Sequence, residues 1–179
     1  MKMRLFVAAA LLVAGITAEA AGQSSNETPG YLDLREVESW FDVEPSLEVN
    51  VEGALLRLAA SAAKYEDEEL ADVLYKLKSI QVRGFPTYGP VPDELRDRRD
   101  ALARRLQKEG WDSVVRVRKH DQSVDVFARM AGEKIAGLVV VAVKNDDDET
   151  VFVNIVGDID PDQIGRIGRR FNIEELRDW

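Results

Sequence analysis

Between residues 113 and 156, four apolar segments follow one another with no room for a helix between them. They run from Ser113 to Lys119, Val124 to Met130, Ile135 to Val143 and Thr150 to Val156. Parallel neighbours need a crossover of a dozen or more residues, so these short links predict antiparallel hairpins. The C-terminal half is thereby limited to a four-strand meander. Its third segment has LVVVAV at the centre, without alternation, and is expected to be covered on both faces.

The preceding half mixes elements. Leu47 to Val51 alternates apolar and polar residues as a half-buried strand does. Gly53 then opens ALLRLAASAAK, a helix by intrinsic propensity. Asp67 to Lys78 reads as a second helix, with Leu70, Val73, Leu74 and Leu77 at helical spacing. From Ser79 to Phe85, Ile80, Val82 and Gly84 alternate with Gln81 and Arg83, a strand pattern, and PTYGPVP (86–92) is a loop. Asp93 is the expected N-cap of DELRDRRDALARRLQKE, whose stripe is Leu95, Leu102 and Leu106 and whose stop is Gly110. A last helix is expected after Asp160-Pro161-Asp162-Gln163, with Ile164, Ile167 and Phe171 inward. The order β-α-α-β-α-β-β-β-β-α predicts an α+β two-layer sandwich. Its sheet is mainly antiparallel, with five to six strands ending in the meander and helices packed against it.

The 179 residues suit one domain preceded by an address segment. Lys2 and Arg4 precede an apolar run from Leu5 to Ile16, and Ala18-Glu19-Ala20 supplies a small-x-small cleavage pattern. That run is shorter than the roughly 20 residues a membrane span needs. The expectation is a signal peptide over 1–20 cut between Ala20 and Ala21, a flexible leader over 21–30, and one domain over 31–179. Removing Lys2, Arg4 and Glu19 takes the formal charge from -9 to -9 - 2 + 1 = -10. An exported chain without cysteine fits a bacterial periplasmic protein that is not lipid-anchored.

Composition removes much chemistry. With no cysteine there is no disulfide frame, thiolate metal site or Cys nucleophile. One histidine, His120, forbids any site needing two imidazoles. The acidic balance disfavours nucleic acid, and no cofactor loop is present. His120 reads as a solvated turn residue in KHDQ, and no serine sits in a nucleophile-elbow pattern. Asn145-Asp146-Asp147-Asp148-Glu149 lacks calcium-loop spacing and reads as a charged hairpin turn. Asp158, Asp160 and Asp162 read as helix-start residues.

Arginines crowd two segments: Arg96, Arg98, Arg99, Arg104 and Arg105 in one, Arg166, Arg169 and Arg170 in the other. Glu94–Arg98 and Asp100–Arg104 have supportive i,i+4 spacing, which makes the first a solvated face. Trp40, Trp111 and Trp179 are the aromatics to test for partner contact. The candidates for such contact are Trp111, Arg98 and Arg99.

The phrases LEVNVEGALLRLAA, LYKLKSIQVRGF, EGWDSVVRV, GEKIAGLVVVAV and FVNIVGDIDPDQIGRIGRRFNI occur in this order. Over about residues 31–177 the chain resembles the bacterial domain-of-unknown-function 4252 family. The resemblance implies a small exported protein in an envelope-signalling setting, with no activity or catalytic residue to carry across. Family members resemble lipoproteins, from which this cysteine-free chain departs.

The function expected is a non-catalytic periplasmic interaction module whose partner is a periplasmic or envelope protein. The alternatives are a carboxylate-based hydrolase and a weak calcium binder using residues 145–149. A homodimer is the other way to cover a sheet with two apolar faces.

Overall fold

The computed structural model describes residues 28–87, 92–119, 122–144 and 149–161. The four C-terminal segments form the meander that their short links require. These are β3 (Asp112–Arg118), β4 (Gln122–Ala131), β5 (Lys134–Lys144) and β6 (Glu149–Ile159). Two strands from the first half, β1 (Leu47–Glu52) and β2 (Leu77–Pro86), complete a six-stranded sheet of order β1-β2-β6-β5-β4-β3. Every neighbouring pair is antiparallel. The α+β class and the meander hold, and the sheet is antiparallel throughout. The β2–β6 ladder, from Leu77↔Gly157 to Pro86↔Glu149, is the seam joining the two halves of the chain.

Among the described residues four helices accompany the sheet: α1 (Arg35–Glu38), α2 (Gly53–Ala63), α3 (Glu68–Lys76) and α4 (Asp93–Lys108). None of the described helices is long and apolar enough to cross a membrane. Asp67 caps α3 by accepting a hydrogen bond from the Leu70 amide at 3.0 Å. That helix stops at Lys76, two residues before the expected end, because Leu77 is already extended and opens β2. At α4 the cap position falls to Pro92, and Asp93 is the first helical residue, where its carboxylate takes Arg96 at 3.0 Å. The far end of α4 follows expectation. Gly110 adopts φ +84°, and the Trp111 amide reaches back to the Leu106 carbonyl at 2.9 Å.

A smaller cluster of Ala128, Ile135 and Ile159, with Leu138 and Ile155 against it, sits at one end of one face of the sheet, and the other face is the main core. Phe85, Phe127, Val139, Val141 and Phe152 meet Leu102, Ala103 and Leu106 of α4 there, and Trp111 joins them. The rest of the cover is the N-terminal stretch from Thr28 to Phe41, through Leu32, Leu34, Val37, Trp40 and Phe41. Phe41 stacks on Phe85 at 4.0 Å between ring centroids, and Trp40 meets Phe152 edge-on at 5.6 Å. Asn154, fully buried, holds this strap to the sheet. Its amide donates to the Gly30 and Leu138 carbonyls at 2.9 and 3.1 Å, while its oxygen accepts from the Leu32 amide at 2.9 Å. Gly30, at φ +87°, lies directly on Gly137, so close that a β-carbon on either would strike the other's backbone. The packed chain therefore includes residue 30, inside the stretch read as leader.

The other face differs from expectation. In β5, Val139, Val141 and Val143 are buried, but Leu138, Val140 and Ala142 are only half-buried. LVVVAV is fully covered on one face, not two.

Candidate functional site

Helix α4 divides its arginines between two settings, because a residue pair at i and i+1 points about 100° apart around a helix. Arg98 shares one side with Ala101, Leu102 and Arg105, at the helical spacings 98, 101, 102 and 105. With Glu36 and Trp40 of the strap, these residues line a groove of about 330 Å³. Trp40 is fixed edge-on by Phe152 beneath it. Arg98 is held by Glu94 at 2.7 Å, the expected i,i+4 pair. Arg105 makes two hydrogen bonds to the Glu36 carboxylate, one of them 3.0 Å from Nη1 to Oε2. Those bonds raise the Arg105 guanidinium above its ordinary pKa, with burial acting weakly against them.

Arg99 turns the other way, towards the sheet, and its side chain is only 13% exposed. It donates to the Ser123 hydroxyl at 2.9 Å and stands 3.8 Å from Asp125. Asp125 is almost wholly buried, and two further guanidinium groups approach it. Arg118 Nη2 lies 2.9 Å from both carboxylate oxygens, and Arg116 Nε lies 3.2 Å from one. A buried carboxylate persists only where donors replace its lost water, and this one has three arginines around it. Asp100 pairs with Arg99 at 3.2 Å rather than with Arg104 as its spacing suggested. The inward pull of Asp125 on Arg99 brings that side chain past Asp100.

The three candidate contact residues are therefore not together. Arg98 lines the groove, Arg99 supports a buried ion cluster, and Trp111 is a core residue only 6% exposed. The groove residues Glu36, Ala101, Leu102 and Arg105 were not singled out as a site. The spacing along α4 was the available signal for three of them; Glu36 and Trp40 join only by tertiary contact.

Two carboxylates facing one cavity are what a carboxylate-based hydrolase of the glycosidase kind needs. This groove holds one, Glu36, and Arg105 occupies it. Asp158 and Asp160 stand beside lysines, at 3.7 Å from Lys78 and 3.1 Å from Lys76. Among the described residues, no three His, Asp or Glu side chains group closely enough to hold a metal ion. His120, residues 145–148 of the acidic run, Asp162, the last helix with Arg166, Arg169 and Arg170, Trp179 and the signal segment lie outside the described residues.

A family model described as "Domain of unknown function (DUF4252)" matches residues 42–167. No curated protein matches, and no solved structure does.

Proposed function

Because the chain belongs to the DUF4252 family, whose description states no activity, we propose a function from its own geometry: a non-catalytic module that binds a protein partner in the bacterial periplasm. The observation that carries this is the groove between the strap and α4, where a tryptophan and two arginines surround an apolar floor. Trp and Arg are the residue types most enriched among interface hot spots, because each joins a large contact area to a directed polar tip. The groove volume suits one large side chain of a partner. Over residues 93–108 there are six basic and four acidic residues, a local charge of 6 - 4 = +2 in a chain of -9. The occupant that fits is a protein segment presenting an apolar side chain beside a carboxylate. The segment MKMRLFVAAALLVAGITAEA, with its n-region, apolar run and Ala20–Ala21 junction, supports action outside the cytoplasm.

Selection of displayed peptides on the wild-type protein tests the reading. Enriched sequences should pair an acidic residue with a large apolar one. Truncating a hot-spot tryptophan costs 2 kcal/mol or more, so Trp40→Ala should weaken those peptides by about 30-fold. Arg98→Gln should weaken them too, and should lower the melting temperature little, because the Glu94 pair it removes is solvent-screened. Peptides that bind both variants as tightly as wild type would place the function elsewhere.

A further inference from the structure

The face of the sheet turned away from the strap carries a ladder of six valines, one from each strand. Val49 pairs with Val82, Val82 with Val153, Val153 with Val140, Val140 with Val126 and Val126 with Val115. The row on one side is Val51, Ile80, Ile155, Leu138 and Ala128; the row on the other is Leu47, Gly84, Val151, Ala142, Val124 and Val117. On β1, β2, β6, β5 and β4 these rows hold no polar side chain; on β3 the row through Ala128 ends at the exposed Asp112. Five of the six ladder valines are only half-buried; Val126 alone is fully buried.

We infer that this face is the contact surface between two copies of the chain, packed sheet on sheet. Six strands about 4.8 Å apart and three rows about 6.8 Å apart give a footprint near 600 Å². Two such faces bury about 1,200 Å², above the roughly 1,000 Å² that a specific interface needs. Most of the row residues are half-buried, so a monomer leaves part of that footprint in water as one continuous aliphatic patch. Even, unbranched-by-charge rows suit the aligned packing of two twisted sheets about 10 Å apart. At the rim, Lys78 and Asp158 lie 3.7 Å apart and are both more than half exposed. A two-fold axis therefore repeats both signs at the boundary and sets no net like charge against itself. The family match takes in all six strands and closes at residue 167. The face is thus part of the unit that the family shares.

The native chain has no cysteine, so a single introduced thiol reports one position. The protein is expressed and processed in a bacterial host, and its molar mass is measured by light scattering from nanomolar to high micromolar concentration. The wild type should pass from one copy to two over that range. Val140→Thr keeps the β-branched shape and should raise the dimer dissociation constant about tenfold, with the fold unchanged by circular dichroism. Maleimide labelling of Val140→Cys should slow as concentration rises, while that of Arg104→Cys on exposed α4 should not. A single-copy mass at every concentration overturns the inference. Rapid labelling at residue 140 would then show the face bare, and slow labelling would show cover by the chain's own remaining residues. Dimers that persist in Val140→Thr, with labelling at 140 independent of concentration, overturn it equally by placing the contact on another surface.

Discussion

The two faces of one sheet are built on opposite principles. The strap face buries Gln81, Arg83, Asp125, Thr150 and Asn154 among its aromatics. The opposite face has only aliphatic side chains and glycine in its three central rows from β1 to β4, yet most of them are half-buried. Along β2 the contrast is residue by residue: Gln81 and Arg83 are buried, while their neighbours Ile80 and Val82 are only half-buried. A buried polar group is tolerated where hydrogen bonds replace water, and here the strap and its neighbours supply them. Arg83, for example, meets Glu38 and Glu48, each at 2.9 Å, and also the Val49 and Val82 carbonyls. Directional bonds of this kind fix where the strap lies. The aliphatic face offers area without direction, which suits a surface completed by association.

The largest test of the contrast uses adjacent residues of β6. Phe152→Ala removes a ring that touches Trp40, Phe41 and Phe85, and should cost about 4 kcal/mol of unfolding free energy. Val153→Ala, one residue on and facing the other way, should cost less than about 1.5 kcal/mol in the monomer. Equal losses in denaturant titrations at low protein concentration would mean that both faces are equally packed.

A second comparison uses glycines. At Gly137 a β-carbon would strike the Gly30 backbone, so Gly137→Ala should lose about 3 kcal/mol by prying the strap away. Hydrogen exchange should then quicken across residues 30–41. At Gly84 a β-carbon would meet the movable end of Glu149 at 2.9 Å and Leu47 Cβ at 3.0 Å, contacts less severe than at Gly137, and Gly84→Ala should lose about 1–2 kcal/mol. Unchanged exchange in the strap of Gly137→Ala would break the link between this close approach and strap placement.

The smallest effect concerns charge at the strap. Hydrogen bonds from Arg35 hold the Asp33 carboxyl below the ordinary carboxylate range, against a weaker upward push from burial. A depressed folded-state pKa stabilises above the unfolded value, near pH 4, and that contribution fades as pH falls through the folded value. Asp33→Asn should therefore cost less than about 1 kcal/mol at pH 7, since the pair is solvent-screened, and nothing at pH 2. A cost that persists at pH 2 would assign Asp33 a role other than charge pairing.

Much of this was legible in the chain itself. The meander followed from link length, the α4 core stripe from the spacing of Leu95, Leu102 and Leu106, and the α3 cap from Asp67. The groove was legible only in part, since helical spacing unites Arg98, Leu102 and Arg105 but cannot bring Trp40 from some sixty residues away. Trp111 shows the reverse case. Its residue type suggested a contact role, and its place just after α4 made it core.

The sequence by itself determined the element order from β1 to β6, the antiparallel meander and the absence of thiol chemistry, because each depends on local spacing or composition. Only the tertiary structure decided which face of each strand became core. Alternation has a period but no sign: it separates Gln81 and Arg83 from Ile80 and Val82 without saying which pair goes inside. The sign came from the strap and α4, whose polar groups meet Asn154, Arg83 and Asp125 on one face, while most of the aliphatic rows stay half-buried.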